Sequence, residues 1–310
     1  MKTSVVLATY NGEKFIVEQL DSLLKQTKKI DEVLIFDDCS TDSTVEIIQN
    51  YIKDKQLEKN WICVINEKNQ GYANNFFFGM SKAKNNLIFF CDQDDIWELD
   101  RVEYMSKIME ENSNIKLLCS EFKPFYTGKD VKKLPTEVLK KMTYTNILEL
   151  LPLNHKNVFI GAEGCTMAVR KSFFEEIKLY WFNSWAHDEF VWKMAIANNG
   201  CYMLHKSTLK RRVHGNNVSI NKLHQIDKRI VFLKNLMNGH TRMLQYMKDI
   251  NCTLDDQKLI EKNIRAVELR LQLLEKNKYL NIIPLTLFYS KFYHSRKSIF
   301  METYIAWRNK

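Results

Sequence analysis

Four short apolar runs, Val5–Ala8, Glu32–Phe36, Ile62–Ile65 and Leu87–Phe90, punctuate the first hundred residues, and each gives way to a polar loop. Runs of this length bounded by turn signals predict buried strands. Between them Glu13–Gln26 puts Phe15, Ile16, Leu20, Leu23 and Leu24 on one helical face. Ser43-Thr44-Val45-Glu46 opens a second helix with capping-box spacing, and Ala73–Lys84 supplies a third. Such alternation belongs to β-α-β units on a parallel sheet. A further helix is expected over 98–112, and beyond Lys116 the alternation fades into a mixed region. There Gly161-Ala162-Glu163-Gly164-Cys165 suggests a backbone-led turn, because glycines permit unusual dihedrals or a close approach. The helix after Trp185-Ala186-His187-Asp188-Glu189 carries Phe190, Val191, Met194 and Ala195 on one side and is expected to stop at Gly200.

After Asn221 the period changes. Ile226, Ile230, Leu233, Met237, His240, Leu244 and Met247 recur in steps of four and three, as do Ile260, Ile264, Val267, Leu271 and Leu274. Two amphipathic helices joined across Asn251-Cys252-Thr253-Leu254 predict an antiparallel hairpin. The chain thus divides into residues 1–220, with halves at 1–112 and 113–220, and a helical region over 221–310.

Composition adds three constraints. A 45% hydrophobic and 12% aromatic content excludes general disorder. Seven scattered cysteines with no C-x-x-C pair argue for a reducing compartment and against a disulfide framework or zinc site. Charge is unevenly placed: residues 221–310 carry 17 Lys and Arg against 8 Asp and Glu, whereas residues 1–220 carry 29 of each. The basic tail points to an anionic surface, lipid headgroups or nucleic acid. Met1-Lys2-Thr3 runs straight into an apolar strand without the features of a signal peptide, so a cytoplasmic location is expected. Tyr279–Ser290 is free of charge but, at 12 residues with Pro284 inside, too short to span a bilayer.

The chemistry gathers where the strands end. Asp92, Asp94 and Asp95 follow the fourth strand directly, and like charges about 4 Å apart near a surface repel by on the order of 4 kcal/mol. A hard divalent cation reverses that sign, whereas a solvated acidic turn would simply cap the next helix. Thr9, Tyr10 and Asn11 follow the first strand, where Tyr10 can stack on a base. Asp37 and Asp38 follow the second, where a carboxylate can accept from a nucleobase or a ribose hydroxyl. Ser40, Asp42 or Ser43 is expected to cap the helix that follows.

Taken in order, Val5-Val6-Leu7-Ala8-Thr9-Tyr10-Asn11-Gly12, Asp37-Asp38-Cys39-Ser40-Thr41-Asp42, Asn69-Gln70-Gly71-Tyr72-Ala73-Asn74-Asn75 and Asp92-Gln93-Asp94-Asp95 resemble a family 2 glycosyltransferase with the GT-A nucleotide-sugar-binding fold. The resemblance implies an α/β fold with a Rossmann-like mixed, mostly parallel sheet flanked by helices, to which the helical hairpin is a C-terminal extension. It departs at Cys39, where the family more often has a small residue; a thiol is tolerable there if its backbone dihedrals are ordinary. By resemblance Ala8, Tyr10 and Asp38 match base and ribose contacts, and Thr9 and Asn75 fall in the same donor motifs. Asp94 and Asp95 match the D-x-D region for ribose and a Mg²⁺ or Mn²⁺ on the donor diphosphate. Asp92 also belongs to that motif, and which two of the three face the metal stays open.

Inverting transfer also needs a base for the acceptor hydroxyl, and Asp188 matches the family's acidic motif in a His-Asp variant. As a bland alternative, Asp188 caps its helix; His187 orients the carboxylate, meets the acceptor or is structural. Gly161–Thr166 matches the acceptor region. Arg211-Arg212-Val213-His214-Gly215-Asn216-Asn217-Val218-Ser219 is similar to the closing segment of rhamnosyltransferase-like members, which implies diphosphate contacts for Arg212 and His214, with His214 within reach of the metal.

The resemblance therefore implies an inverting, metal-dependent hexosyltransferase of bacterial surface polysaccharide synthesis. Its donor is expected to be dTDP-rhamnose or otherwise a UDP-hexose, and its acceptor a growing polysaccharide or lipid-linked saccharide. The Q-x-x-R-W signature of processive synthases is absent, which favours addition of one or a few sugars. No nucleic-acid partner is expected. Tyr279–Arg296, with Phe288, Tyr289, Phe292 and Tyr293 among basic residues, is the expected peripheral contact with the inner face of the membrane; a docking helix or homodimer contact is the alternative. Two other readings stand beside this one. A sugar nucleotidyltransferase would want a glycine-rich basic loop, of which Asn11-Gly12-Glu13-Lys14 is a poor version. A non-catalytic nucleic-acid- or membrane-binding adaptor would use the basic charge, but the three carboxylates would repel a polyanion.

Overall fold

The computed structural model describes residues 1–128, 131, 133–215, 225–294 and 297–308. In chain order its elements are β1 (Thr3–Thr9), α1 (Ile16–Leu24), β2 (Glu32–Asp37), α2 (Thr44–Asp54), β3 (Trp61–Ile65), α3 (Tyr72–Lys82), β4 (Leu87–Asp92), β5 (Ile96–Trp97), α4 (Arg101–Glu111) and β6 (Leu117–Tyr126). They continue with α5 (Thr136–Leu139), β7 (Leu148–Leu150), β8 (Met167–Arg170), α6 (Lys171–Ile177), α7 (His187–Ala197), β9 (Cys201–Val213), α8 (Ile226–Asp249), α9 (Leu254–Lys276), α10 (Ile282–Leu287) and α11 (Lys297–Arg308).

Among the described residues the strands form one mixed sheet in the order β3-β2-β1-β4-β8-β6-β9-β5, with β7 on β9. The β3-β2-β1-β4 half is parallel, as the repeated strand and helix pattern predicts. Its central strands are buried on both faces, which is why they read as continuous apolar runs. β1 pairs with β2 on one side and β4 on the other, so the loops after β1 and β4 part company at a crevice, the place where open α/β sheets take ligands. The β4 strand runs on to Asp92, which lies in register with Ala8.

The other half of the sheet was hidden in the mixed region. β8 runs antiparallel to both β4 and β6, whereas β6 and β9 pair in parallel with register shifts at Ser120/Glu121 and Glu121/Lys123. Those irregularities break the period of two that would have announced the strands. The α7 helix is buried all round rather than on one side, because it lies between the sheet and α8 and even Lys193 is 0% exposed. Its left-handed stop is Asn199, at φ 50°, and not Gly200. Ser43 makes no capping bond; Asp42 accepts from the Thr44 N–H instead.

The α8–α9 hairpin forms as expected, and Thr253 caps α9 by accepting from Asp256 N. Met243, Tyr246, Met247 and Ile260 join the hydrophobic cluster on one face of the sheet, so the hairpin shares its core with the first 200 residues. In the tail, Phe292 and Tyr293 are 2% and 6% exposed, with Tyr293 in the helical core, which removes both from the expected membrane contact. Burying them lets the Tyr293 ring lie under the Arg270 guanidinium at 4.2 Å. Asn216–Ser219 and Arg296 lie outside the described residues. No described helix is long and apolar enough to cross a membrane.

Candidate functional site

The acidic loop after β4 is held from below and behind. Asp95 is 1% exposed and its Oδ1 accepts from Arg212 N at 2.9 Å, while Arg212 Nε donates to the Asp94 carbonyl at 2.8 Å. His214, two residues on along the same backbone, sets its Nε2 2.7 Å from Asp94 Oδ2. Beneath, Arg101 is fully buried over the Trp97 ring and donates to the Cys165 carbonyl at 2.9 Å and to the Thr208 hydroxyl. Burial pushes its guanidinium down to about 10. Burial and then the neighbouring carboxylates push Asp92 well above the ordinary range; burial and the Asp94 charge push Asp95 up likewise. Burial and mutual repulsion thus penalise the ionised forms of Asp92 and Asp95.

The donor set fits a hard divalent cation. One ligand atom each from Asp92, Asp95 and Cys165 lies within 4.8 Å of the others, and among the described residues no group hydrogen-bonds to the buried Asp95 Oδ2. Burial pushes the Cys165 thiol well up, so it stays protonated and is a poor ligand. Asp94 and His214 offer a carboxylate and an imidazole on the more open side, a pair suited to Mn²⁺. Asp95 uses Oδ1 to hold the Arg212 backbone and keeps Oδ2 for the cluster with Asp92.

The first three strand-end loops are tied together by side chains. Gln93, the variable position of the acidic motif, folds over the first loop: its Oε1 accepts from Tyr10 N at 2.9 Å and its Nε2 donates to the Tyr10 carbonyl at 3.0 Å. Only glycine at position 12 allows this, because a Cβ there would stand 2.6 Å from Gln93 Cδ. Tyr10 itself is 48% exposed and available for stacking. Asp38 is 3% exposed and accepts from Asn66 Nδ2, Gln70 N and Gly71 N, shaping the loop into α3. A carboxylate has about four acceptor sites, so one remains for a ligand.

Two expected donor contacts are turned inward. Thr9, 1% exposed, donates its hydroxyl to Asp37 Oδ2, and Asn75, also 1% exposed, donates to the Phe36 carbonyl and accepts from Asn66. Both end positions belong to buried faces of their elements, so they brace the loops instead of facing the crevice. Cys39 has φ 64°, so its dihedrals are not ordinary; its thiol donates to the Asn66 carbonyl at 2.9 Å.

Across the crevice, α7 presents Asp188 in its first turn, with Ala186 rather than Asp188 in the capping position. Asp188 Oδ1 accepts from Glu189 N at 2.8 Å, and burial pushes the carboxyl up to about 7. A Cβ at Gly164 would touch Asp188, and the next residue, Cys165, lies within 4.8 Å of ligand atoms of Asp92 and Asp95, so the base candidate borders the acidic cluster. His187 stacks on Phe76 with centroids 3.8 Å apart, and burial pushes it down to about 3, which makes it a neutral core residue rather than a partner of Asp188. The Gly161–Thr166 turn has no left-handed glycine among its residues. Its glycines serve close packing: a Cβ at Gly164 would lie 3.2 Å from Asp188 Cβ, and one at Gly161 3.2 Å from Trp192 Cη2. Glu163 in this turn pairs with Arg211 Nη2 at 3.4 Å.

Arg212 is 4% exposed, bonded to Glu18 Oε2 at 2.7 Å and to Thr127 Oγ1, and sandwiched by Phe15 and Phe125. The expected diphosphate contact is thus a brace for the acidic loop. Sequence reasoning missed Gln93, Arg101 and Arg211. Gln93 sits inside a motif already singled out, whereas Arg101 gave no signal because only burial distinguishes it from a surface arginine.

Comparison with known proteins agrees with the geometry. The model of the family described as "Glycosyl transferase family 2" matches residues 4–178. An uncharacterized glycosyltransferase of Rickettsia felis is 32% identical over 152 residues, covering 49% of this chain and 24% of that protein. The poly(ribitol-phosphate) beta-N-acetylglucosaminyltransferase TarS of Staphylococcus aureus is 29% identical over 182 residues, covering 53% of this chain and 30% of that protein. The chain therefore spans about a quarter to a third of the length of these curated relatives. The crystal structure of TarS residues 1–349 in complex with UDP-GlcNAc superposes with a TM-score of 0.66 at 19% identity, covering 100% of this chain and 92% of that one. A mannosyltransferase of Pyrobaculum calidifontis in complex with GDP-Man and Mn²⁺ superposes with a TM-score of 0.58 at 14% identity, covering 98% and 84%. These likenesses establish the fold.

Proposed function

The chain belongs to glycosyl transferase family 2, and on that premise we propose that it moves a sugar, with inversion, from a nucleoside-diphosphate donor to a hydroxyl of a saccharide acceptor. The observation that carries this reading is Asp188, a carboxyl pushed up to about 7 within electrostatic reach of the Asp92 cluster. A base with that affinity is poised to take the acceptor proton near neutral pH.

The roles follow from the contacts. Tyr10 stacks on the nucleobase, Ala8 leaves room at the strand end beside Asp92, and the remaining acceptor site of Asp38 takes the base N–H or a ribose hydroxyl. Asp92 and Asp94 hold the divalent cation with Asp95 Oδ2 and His214 beside them, and Asp95 Oδ1, through the Arg212 backbone, positions His214. When bound, the cation supplies charge neutralisation of the diphosphate leaving group. The Glu163–Arg211 pair borders the acceptor side next to Asp188.

For the donor, uracil and thymine present the same hydrogen-bonding edge to Asp38. The likeness to TarS bound to UDP-GlcNAc supports a UDP-sugar, and the His187-Asp188 variant supports dTDP-rhamnose. The acceptor is a surface polysaccharide or its lipid-linked precursor, met by a cytoplasmic protein at the inner face of the membrane. Release of UDP or dTDP from a panel of nucleotide sugars with Mn²⁺ tests the reading. Turnover should fall by about 10²- to 10⁴-fold in Asp188→Asn while donor binding changes less than about twofold. Unchanged turnover removes Asp188 as the base, and donor binding without any turnover, whatever the acceptor, favours the inert adaptor. Chelation of the metal should weaken donor binding at least about tenfold; Asp94→Asn should reproduce that loss in a Mn²⁺ titration, and unaltered Mn²⁺ affinity would move the cation to Asp92 and Asp95.

A further inference from the structure

Helix α11 is fixed in rotation by a buried charge. Glu302 is 0% exposed and sits between Arg229 of α8 and Arg270 of α9, with Oε1 2.8 Å from Arg229 Nε and 2.7 Å from Arg270 Nη2, and Oε2 3.0 Å from Arg270 Nε. Ile299, Ile305 and Ala306 are buried on the same side. A carboxylate paired with two arginines in a core cannot turn toward solvent without leaving both unpaired, so the opposite face of α11 is committed outward.

That outward face is aromatic. Phe300, Tyr304 and Trp307, spaced i, i+4 and i+7, are 77%, 52% and 66% exposed. Lys297 and Arg308, both exposed, bracket the stripe. The neighbouring α10 segment is anchored to α11 by the Tyr279 hydroxyl, which donates to the Ala306 carbonyl at 3.0 Å. Its own series Leu280, Ile283 and Leu287 is 80%, 57% and 67% exposed. Large apolar side chains left outside on two adjacent helices call for a partner. The charge of this region names it: the entire basic excess of the chain lies in residues 221–310, 17 against 8.

We propose that α11, with Phe300, Tyr304 and Trp307, is a docking face for an anionic lipid bilayer. The aromatic rings enter the headgroup layer while the surrounding Lys and Arg meet lipid phosphates. Of the Tyr279–Arg296 stretch expected from sequence, Phe292 and Tyr293 are buried, whereas Leu280, Ile283, Leu287 and Phe288 stay exposed beside α11. The inference stands independently of glycosyl transfer.

Vesicle co-sedimentation of the full chain tests it, with phosphatidylcholine vesicles set against vesicles containing roughly a third phosphatidylglycerol. The chain should bind the anionic vesicles, and high salt should weaken that binding. The triple variant Phe300→Ser, Tyr304→Ser, Trp307→Ser should lose at least about tenfold in partitioning with circular dichroism and melting unchanged, since all three positions are exposed. Leu254→Ser, at a position 72% exposed on the far turn of the hairpin, should bind like wild type. Equal binding by the triple variant, or no binding to either vesicle, overturns the proposal. So does a wild-type dimer in size-exclusion chromatography that the triple variant converts to monomer, which would make the stripe a contact between copies.

Discussion

Asp188 owes its affinity to position rather than to type. Burial raises its carboxyl from an ordinary 3.8 to about 7, so the group is mostly protonated at pH 6 and mostly ionised at pH 8. If it is the base, the rate rises with pH through about 7, and the profile of Asp188→Asn loses that limb while its kcat falls by about 10²- to 10⁴-fold. The same shift has a stability consequence. The folded state keeps a proton that the unfolded chain releases above about pH 4, so wild type loses stability as pH rises from there through 7. Asp188→Asn is then more stable than wild type at pH 8 by on the order of 2 kcal/mol, a difference that fades toward pH 4 in urea titrations. Cys39 makes a second argument at this scale. A left-handed residue other than glycine costs roughly 1–2 kcal/mol, and the thiol contact to Asn66 returns part of it. Cys39→Gly should gain on the order of 0.5–1 kcal/mol in the same assay after its extra unfolded-state entropy is counted; a loss would mean the thiol bond outweighs the strain.

Elements decide how the loops meet. The Gln93 amide grips both backbone groups of Tyr10, coupling the end of β4 to the end of β1 across the crevice. Gln93→Ala should loosen donor binding by about three- to tenfold with little change in melting temperature. Gly12→Ala should do so by steric conflict with Gln93, and the double variant should be no worse than Gln93→Ala alone, a cycle readable by calorimetric titration. In the helical region the Arg229–Glu302–Arg270 triad plays the joining part. Glu302→Ala leaves two arginines buried without a counter-charge and should cost about 3–5 kcal/mol, seen as earlier urea unfolding. An effect below about 1 kcal/mol would show that the triad is solvated in the working protein.

At the scale of the whole molecule, the α8–α9 hairpin is part of the main core. Tyr246 donates to Glu176 and accepts from Asn198, Trp185 packs against Gly239, and Lys193 of α7 approaches His240 of α8 at 3.4 Å. Heating should therefore unfold the chain in one transition, coincident by far-UV circular dichroism and tryptophan fluorescence; two resolved transitions would mark the tail as a separate unit. The parallel half of the sheet, the hairpin and the acidic cluster were legible in the sequence because each is local: a run of buried residues, a helical period, three carboxylates in four positions. The other half of the sheet was not, since its bulged β6–β9 pairing joins residues about eighty apart and leaves no period of two. Equally hidden was the division of labour among side chains of one type. Sequence alone determined that Asp92, Asp94 and Asp95 would stand at a strand end. Only the tertiary structure decided that Asp94 faces His214 while Asp95 holds the Arg212 backbone, that Arg212 braces the acidic loop, and that α11 shows its rings to solvent, because burial and the choice of partner depend on contacts between residues far apart in the chain.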